Sequence, residues 1–518
     1  MSPYLGFGVA RIVLLVLLGS LFLSLATGRP LSRRLRLLVF GVLVAALLSY
    51  PNFGFFHGRY WGPIHYGDVY HYFVGAKYLP ELGYSRLYEA TFVAGRELGF
   101  FGSVTTVRDL TTYDVRRVDA IDAQAVRARF SPERWLAFKG DLAFLIPRVG
   151  AWPGTLFDHG YNDPPPRALL LHLLVRRVPA NVVTLALLTS LDYVLIAAGL
   201  CVVWRAFGAM PTSLTFAFLG LSFFARFDWI GGSLLRWDWI VALLVGVAAY
   251  ARGSGGAAGV CFGYAALARI FPMLFLVPLG LKWLQGRLGR RPDPTVARCL
   301  GAAGALVLVV AVGLVVAGQS SALLSEYASK IRLHTAIPST NRVGLGSLLT
   351  VSAAPWSLSP EGTTYVIQAA LMDARPAQSM LLAISALYVL VALPLIRRAQ
   401  PLESMMYAAP LIFFALSPTG YYYAFLVLLV LLPWQGGSTD GARLVEMALL
   451  TFTMAVSYAF EFTAGGALVL FYQASIQMGL FFVVWLVLEY LRIGSRPARL
   501  VRAVASPGPA QRGSEVGR

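Results

Sequence analysis

Apolar runs of about twenty residues recur along the chain, separated by short polar turns, and a helix of that length crosses the hydrocarbon core of a bilayer. Clear examples are 5–26, 37–56, 181–203, 299–317, 380–396 and 466–490. The same pattern predicts further helices near 209–226, 236–250, 255–270, 271–285, 404–417, 420–434 and 443–461. The expected fold is all-α, a polytopic transmembrane helix bundle of about 11–14 helices. Whether 255–285 forms one helix or two stays open, because Pro272 and Pro278 permit a break.

Two long stretches interrupt the alternation. They divide the chain into two N-terminal spans (1–56), a first loop (57–163), a central transmembrane module (164–318), a second loop (319–375), C-terminal spans (376–492) and a tail (493–518). The tail is rich in Pro, Gly, Ser and Arg and is expected to be disordered. A loop as long as 57–163 needs helices of its own, and 120–129 and 132–145 read as amphipathic. The run 164–178 is apolar but short, and suits a half-depth helix or a short crossing.

Composition strengthens the membrane reading. Of 518 residues, 57% are hydrophobic and 13% are charged, against about 25% charged in soluble domains. A net charge of +18 would suggest nucleic acid in a soluble protein. Here the stretch 58–163 balances 12 basic residues with 12 acids, so the excess lies elsewhere. Much of it falls in turns such as Arg29–Arg36, Lys282–Arg291 and Arg397–Arg398 and in the tail. The positive-inside rule puts these in the cytoplasm with the C-terminus, and puts the N-terminus and both long loops outside. No nucleic-acid partner is needed. The Ala, Leu, Gly and Arg bias is associated with GC-rich bacterial genomes, and a bacterial plasma membrane is the expected bilayer. Cys201, Cys261 and Cys299 lie in or beside apolar runs and offer neither a disulfide framework nor zinc spacing.

With the turns sorted by side, the outer ones carry the candidate chemistry. Asp68 is the first acid in the chain and sits among His65, Tyr70 and Lys77, which are candidate substrate-binding residues. A carboxylate crowded by aromatics at a membrane mouth suits a general base, and Gly67-Asp68 would equally suit a helix cap. Tyr161-Asn-Asp163-Pro-Pro-Pro closes the loop, with Asp163 a second carboxylate or the cap of the next helix. Asp228, Arg236, Asp238 and Arg269 are ionisable residues at membrane depth, where charge is costly and usually functional. Arg269 precedes the helix-breaking Pro272, and its guanidinium matches a phosphate. Lys330, Arg332, His334, Asn341 and Arg342 gather more cations and polar groups in the second loop. Mutual pairing and headgroup contact are the plainer readings of these charges.

In this order, the pieces resemble the GT-C class of membrane glycosyltransferases, in particular the polyprenyl-phosphate-mannose-type glycosyltransferase family 87. The resemblance rests on Asp68-Val-Tyr70, Gly83-Tyr84-Ser-Arg86-Leu87-Tyr88, the Tyr161–Pro166 stretch and Arg269-Ile-Phe-Pro272, with Asn341–Leu349 a looser match. It covers about 37–350. Asn162 and Asp163 stand between the tyrosine and the prolines, where the family pattern has none. The resemblance implies inverting transfer of one sugar, mannose or a similar hexose or pentose, on the outer face. The donor would be a polyprenyl-phosphate sugar and the acceptor a lipid or glycan. Asp68 would be the base, Arg269 and the second-loop cations would hold the phosphate, and aromatics would stack on sugar. No cofactor is implied, and dependence on a divalent metal stays open.

Two other classes compete. A transporter or lipid flippase predicts a midplane site and inverted repeats. No repeat is seen in the sequence, and Asp192, inside the 180–203 helix, is the best argument for transport. A non-catalytic envelope assembly protein would tolerate loss of the Asp68 carboxylate.

Overall fold

The computed structural model describes residues 3–29, 32–58, 62–150, 152–316, 320–336, 339–353, 376, 378–435 and 439–495. Helix makes up 77% of the structure. Among the described residues, six helices are long and apolar enough to cross a membrane: Gly6–Ala26, Val182–Phe207, Pro294–Val316, Gln378–Arg398, Gly441–Phe462 and Ala467–Ile493. A bent pair, Ala209–Leu221 and Phe223–Ile230, meets at 75° and makes a seventh candidate. Shorter apolar helices, Arg36–Ser49, Pro165–Val175, Asp238–Ala251, Gly255–Ala268, Pro401–Ala415 and Gly420–Trp434, complete the apolar set. The architecture is a helical membrane bundle. Its rim is apolar, with Leu308, Val309, Val312, Val315 and Val316 exposed on one long helix.

Several apolar runs are divided into separate elements. The 209–226 helix stops at Ser222, whose extended backbone turns the chain. The 255–285 stretch is two helices. Gly255–Ala268 ends at Arg269, a 3₁₀ turn covers Phe271–Phe275 around Pro272, and Leu276–Leu288 follows. Gly420–Trp434 is a 3₁₀ helix of 15 residues, buried along most of its length. At about 2.0 Å per residue it reaches roughly 30 Å, where an α-helix of the same length would reach about 22 Å. It packs against Ala209–Leu221, Asp238–Ala251 and Gly441–Ala459 as a central pillar. At one end of the bundle Arg443 bonds Glu446 at 2.9 Å and pairs with Glu489 and Glu403, which ties three helices together.

The first loop is a packed module with its own aromatic core, including Tyr70, Tyr78, Tyr84, Tyr88 and Tyr161. Of the two amphipathic helices expected there, one covers Ala123–Arg127 and the other Pro132–Val149. A short antiparallel pair, Thr106–Arg108 with Val115–Arg117, was not foreseen. Asp141 is a structural centre of this module. It accepts from Lys77 Nζ at 2.6 Å, Tyr78 Oη at 2.7 Å and the Ala180 backbone at 2.7 Å. It thus fastens the module to the chain entering the Val182–Phe207 helix. Lys77 also donates to the Val178 carbonyl at 2.7 Å and is 4% exposed, so its ammonium is spent on folding and the expected role in substrate binding is corrected.

From the second loop, Ser320–Ala336 and Leu345–Ala353 are helical. Residues 354–375 lie outside the described residues, as does the tail from 496, and the last helix continues to Ser495. The first of the two helices docks on the module. Glu326 accepts from the Tyr84 backbone at 3.0 Å and from Ser85 Oγ at 2.6 Å.

Lys77→Met is expected to destabilise the module by about 3–5 kcal/mol, because it leaves Asp141 buried without its cation. Limited proteolysis in detergent reads this as faster cleavage within 79–97. A Lys77→Met/Asp141→Leu double variant should recover much of the resistance.

Candidate functional site

The helix that carries Asp68 begins at Tyr66, and its cap is His65. The His65 Nδ1 accepts from the Asp68 backbone N–H at 3.1 Å. Burial pushes His65 toward its neutral form despite the neighbouring Asp68, which suits a ring nitrogen that must accept. Asp68 therefore does not cap its helix, and that reading is corrected. His65 is a structural cap rather than a substrate ligand. Freed from capping, the Asp68 carboxylate reaches Arg236, whose Nε lies 3.1 Å from Oδ2.

The helix continues through a π-helical turn, Tyr70–Val74, which sets Tyr72 toward the same cluster. Three guanidiniums surround the Tyr72 ring, with Arg236 4.1 Å from its centroid and Arg167 and Arg269 each 6.0 Å away. Cations over an aromatic face are attracted by its quadrupole, more strongly once desolvated. Tyr72 Oη donates to Asn162 at 3.1 Å, and Tyr421 contributes a second ring 5.3 Å from Arg236.

Asp163 is fully buried and pairs with both Arg167 and Arg269. Arg167 bonds Asp238 at 3.0 Å, and Asp238 also accepts from Tyr264 at 2.9 Å and from the Trp239 backbone at 2.8 Å. Three aspartates and three arginines thus meet at one end of the bundle. Asp68 is the most accessible of the six, with 18% of its side chain exposed against 4% or less for the others. The donor capacity is not exhausted. Arg236 Nη1, both Nε and Nη2 of Arg269, and the Tyr161 hydroxyl are buried and make no hydrogen bond among the described residues. Unmet buried donors at a charged cluster invite an oxygen-rich ligand.

The remaining expected residues fall elsewhere. Asp228 belongs to a separate group, bonded to Arg226 at 3.1 and 2.6 Å, with Glu461 on the same guanidinium. Tyr70 bonds Thr91 at 2.8 Å inside the module core. Tyr161 stacks on Tyr84 at 5.8 Å and meets Tyr72 edge-on at 5.9 Å, so it walls the cluster. Lys330 donates to the Tyr84 carbonyl at 3.2 Å and sits 4.9 Å from the Tyr113 ring centroid. Its neighbour His334 packs on His159 at 4.9 Å, and Arg342 donates to the His334 carbonyl. Asn341 accepts from Ser339 at 2.8 Å. Arg332 and Arg342 line a cavity of about 780 Å³ together with Thr350, Ser417, Leu381 and Leu468, and Asp68 and Arg269 do not line it. The second-loop cations therefore form a group of their own rather than joining Arg269.

Sequence reading passed over Tyr72, Arg167 and the role of Asp192. Asp163 does not cap the Pro165–Val175 helix, whose N-cap is Pro164, and it pairs with Arg167 in the first turn instead. Asp192 accepts from the Arg236 and Trp237 backbone N–H groups at 2.9 and 3.1 Å. The acid that argued for transport is thus occupied by the backbone. Among the described residues, no three His, Cys, Asp or Glu side chains are grouped to hold a metal. No family model, curated protein or solved structure matches this chain.

Burial pushes the Lys330 ammonium down to about 7, against the raising influence of Asp158 and Glu326. Between about 7 and its ordinary 10.5, the unfolded chain holds a proton that docked Lys330 lacks. Docking of Ser320–Ala336 should therefore strengthen as pH rises through that window, and be weakest below 7. Cleavage within this helix should slow from pH 7 to 9 relative to Lys330→Met; equal profiles for the two proteins contradict the assignment.

Proposed function

We propose that the chain is an inverting glycosyltransferase on the outer face of the plasma membrane. It moves a single sugar, mannose or a similar hexose or pentose, from a polyprenyl-phosphate donor to a lipid or glycan acceptor. The observation that carries this reading is Asp68, a partly exposed carboxylate whose Oδ2 pairs with Arg236 Nε at 3.1 Å at the edge of the charged cluster. The unmet guanidinium donors of Arg236 and Arg269 lie against the same tyrosine.

In this mechanism Asp68 accepts the proton of an acceptor hydroxyl as its oxygen attacks the anomeric carbon. The bond from that carbon to the phosphate oxygen breaks on the opposite side, and its electron pair leaves with the polyprenyl phosphate. A single displacement inverts the anomeric centre. Arg236 and Arg269 offset the growing phosphate charge, worth most in a site shielded from water. Tyr72 and Tyr421 supply rings against which a sugar packs. The transport alternative is weakened by the engagement of Asp192 with backbone N–H groups.

The test uses membranes containing the full chain, a labelled polyprenyl-phosphate sugar and extracted envelope lipids as acceptor. Asp68→Asn should lower transfer by about 100-fold or more while the protein remains in the membrane at normal abundance. Full transfer by that variant removes Asp68 from catalysis.

A further inference from the structure

Asp192 is a mid-span acid, about three turns into the Val182–Phe207 helix and 3% exposed. An ionised carboxylate there is costly unless its oxygens are satisfied. Each oxygen takes one backbone N–H, Oδ2 from Arg236 and Oδ1 from Trp237. These two donors belong to the turn 231–237, which links the bent pair to the Asp238–Ala251 helix.

That turn is held from several sides. The Gly231 carbonyl bonds His57 Nε2 at 2.8 Å, and the Gly232 carbonyl accepts from the His65 backbone at 2.9 Å. The Leu234 and Leu235 carbonyls both accept from Arg167. Gly232 has φ +67° and abuts the Pro63 carbonyl so closely that no side chain fits there. Leu235 has φ +49°, a left-handed conformation that costs a branched side chain about 1–3 kcal/mol and persists only when its surroundings impose it. The imposing pair is Arg167, which holds the carbonyls of 234 and 235, and Asp192, which holds the N–H groups of 236 and 237. Between these two side chains the Arg236 backbone is fixed, and its side chain reaches Tyr72 and Asp68.

We infer that Asp192 is a positioning residue for the Asp68 site: it anchors the 231–237 turn so that Arg236 is presented to Asp68. The inference rests on the transferase reading for its kinetic consequence, while the anchoring itself does not. An aspartate is required because two consecutive N–H donors need two acceptors. Asparagine offers one acceptor and turns an NH₂ donor against the second N–H.

The experiment compares full-length Asp192→Asn, Arg236→Gln and the double variant with the natural chain, in membranes, by transfer kinetics and by amide hydrogen exchange across 231–238. Asp192→Asn should speed exchange of the 236 and 237 amides by about tenfold or more. It should lower turnover about 10- to 100-fold with the donor KM within about twofold, as misplacement of a site group does. In the Arg236→Gln background the same change should cost less than about twofold, because residues acting through one another are not additive. Unchanged amide exchange overturns the anchor whatever the activity. Wild-type turnover in Asp192→Asn, or losses that multiply in the double variant, overturn the positioning role. If the natural chain transfers no sugar, the transferase reading fails, and faster exchange in Asp192→Asn still establishes the anchor.

Discussion

Everything at the Asp68 end depends on compensating buried charge. Six ionisable side chains, three aspartates and three arginines, are gathered where water is largely excluded. Taking one ion out of water costs several kcal/mol even after relaxation, and removing one partner of a buried pair costs about 3–5 kcal/mol. The chain meets that constraint by drawing partners from separate parts of the sequence: the start of the first loop, its end, the 231–238 turn and the end of the Gly255–Ala268 helix. Assembly of the bundle and assembly of the site are therefore the same event. The pairing is also uneven. Asp163, Arg167 and Asp238 satisfy one another, while Arg236 and Arg269 keep unmet donors and Asp68 keeps some exposure. The interior of the cluster is structural, and its edge is available for a ligand.

The same logic explains the breaks in the helices. A charged side chain must be aimed at its partner, and an uninterrupted helix cannot redirect it. The chain is turned at Ser222, at Leu235 and at Arg269, each within a few residues of a charge that needs placing. The module from the first loop then closes over this end, latched by Lys77 on Asp141 and by Glu326 on the Tyr84–Ser85 segment.

The bundle was legible because apolar length is a direct consequence of bilayer thickness. Asp68 stood out by position, as the first acid after two apolar runs, and Asp163, Arg236, Asp238 and Arg269 stood out as charges at membrane depth. Their partnership was not legible. Nothing local distinguishes Arg236, which meets Asp68, from Asp228, which is claimed by Arg226 and Glu461. Lys77 looked like a ligand-binding cation because its partner Asp141 lies 64 residues away and its second contact is a backbone carbonyl. Asp192 looked like a transport residue because a sequence shows an acid in a span and cannot show that backbone N–H groups have turned toward it. The 3₁₀ geometry of Gly420–Trp434 was equally hidden, since its composition is that of any apolar helix.

The most direct measurement is a structure of the full chain in a lipid nanodisc with a polyprenyl-phosphate sugar bound. The account predicts the phosphate on the free guanidinium edges of Arg236 and Arg269, and the sugar against Tyr72 with its anomeric carbon facing Asp68. A lipid phosphate seated instead at Arg332 and Arg342, with no sugar near Asp68, would contradict it.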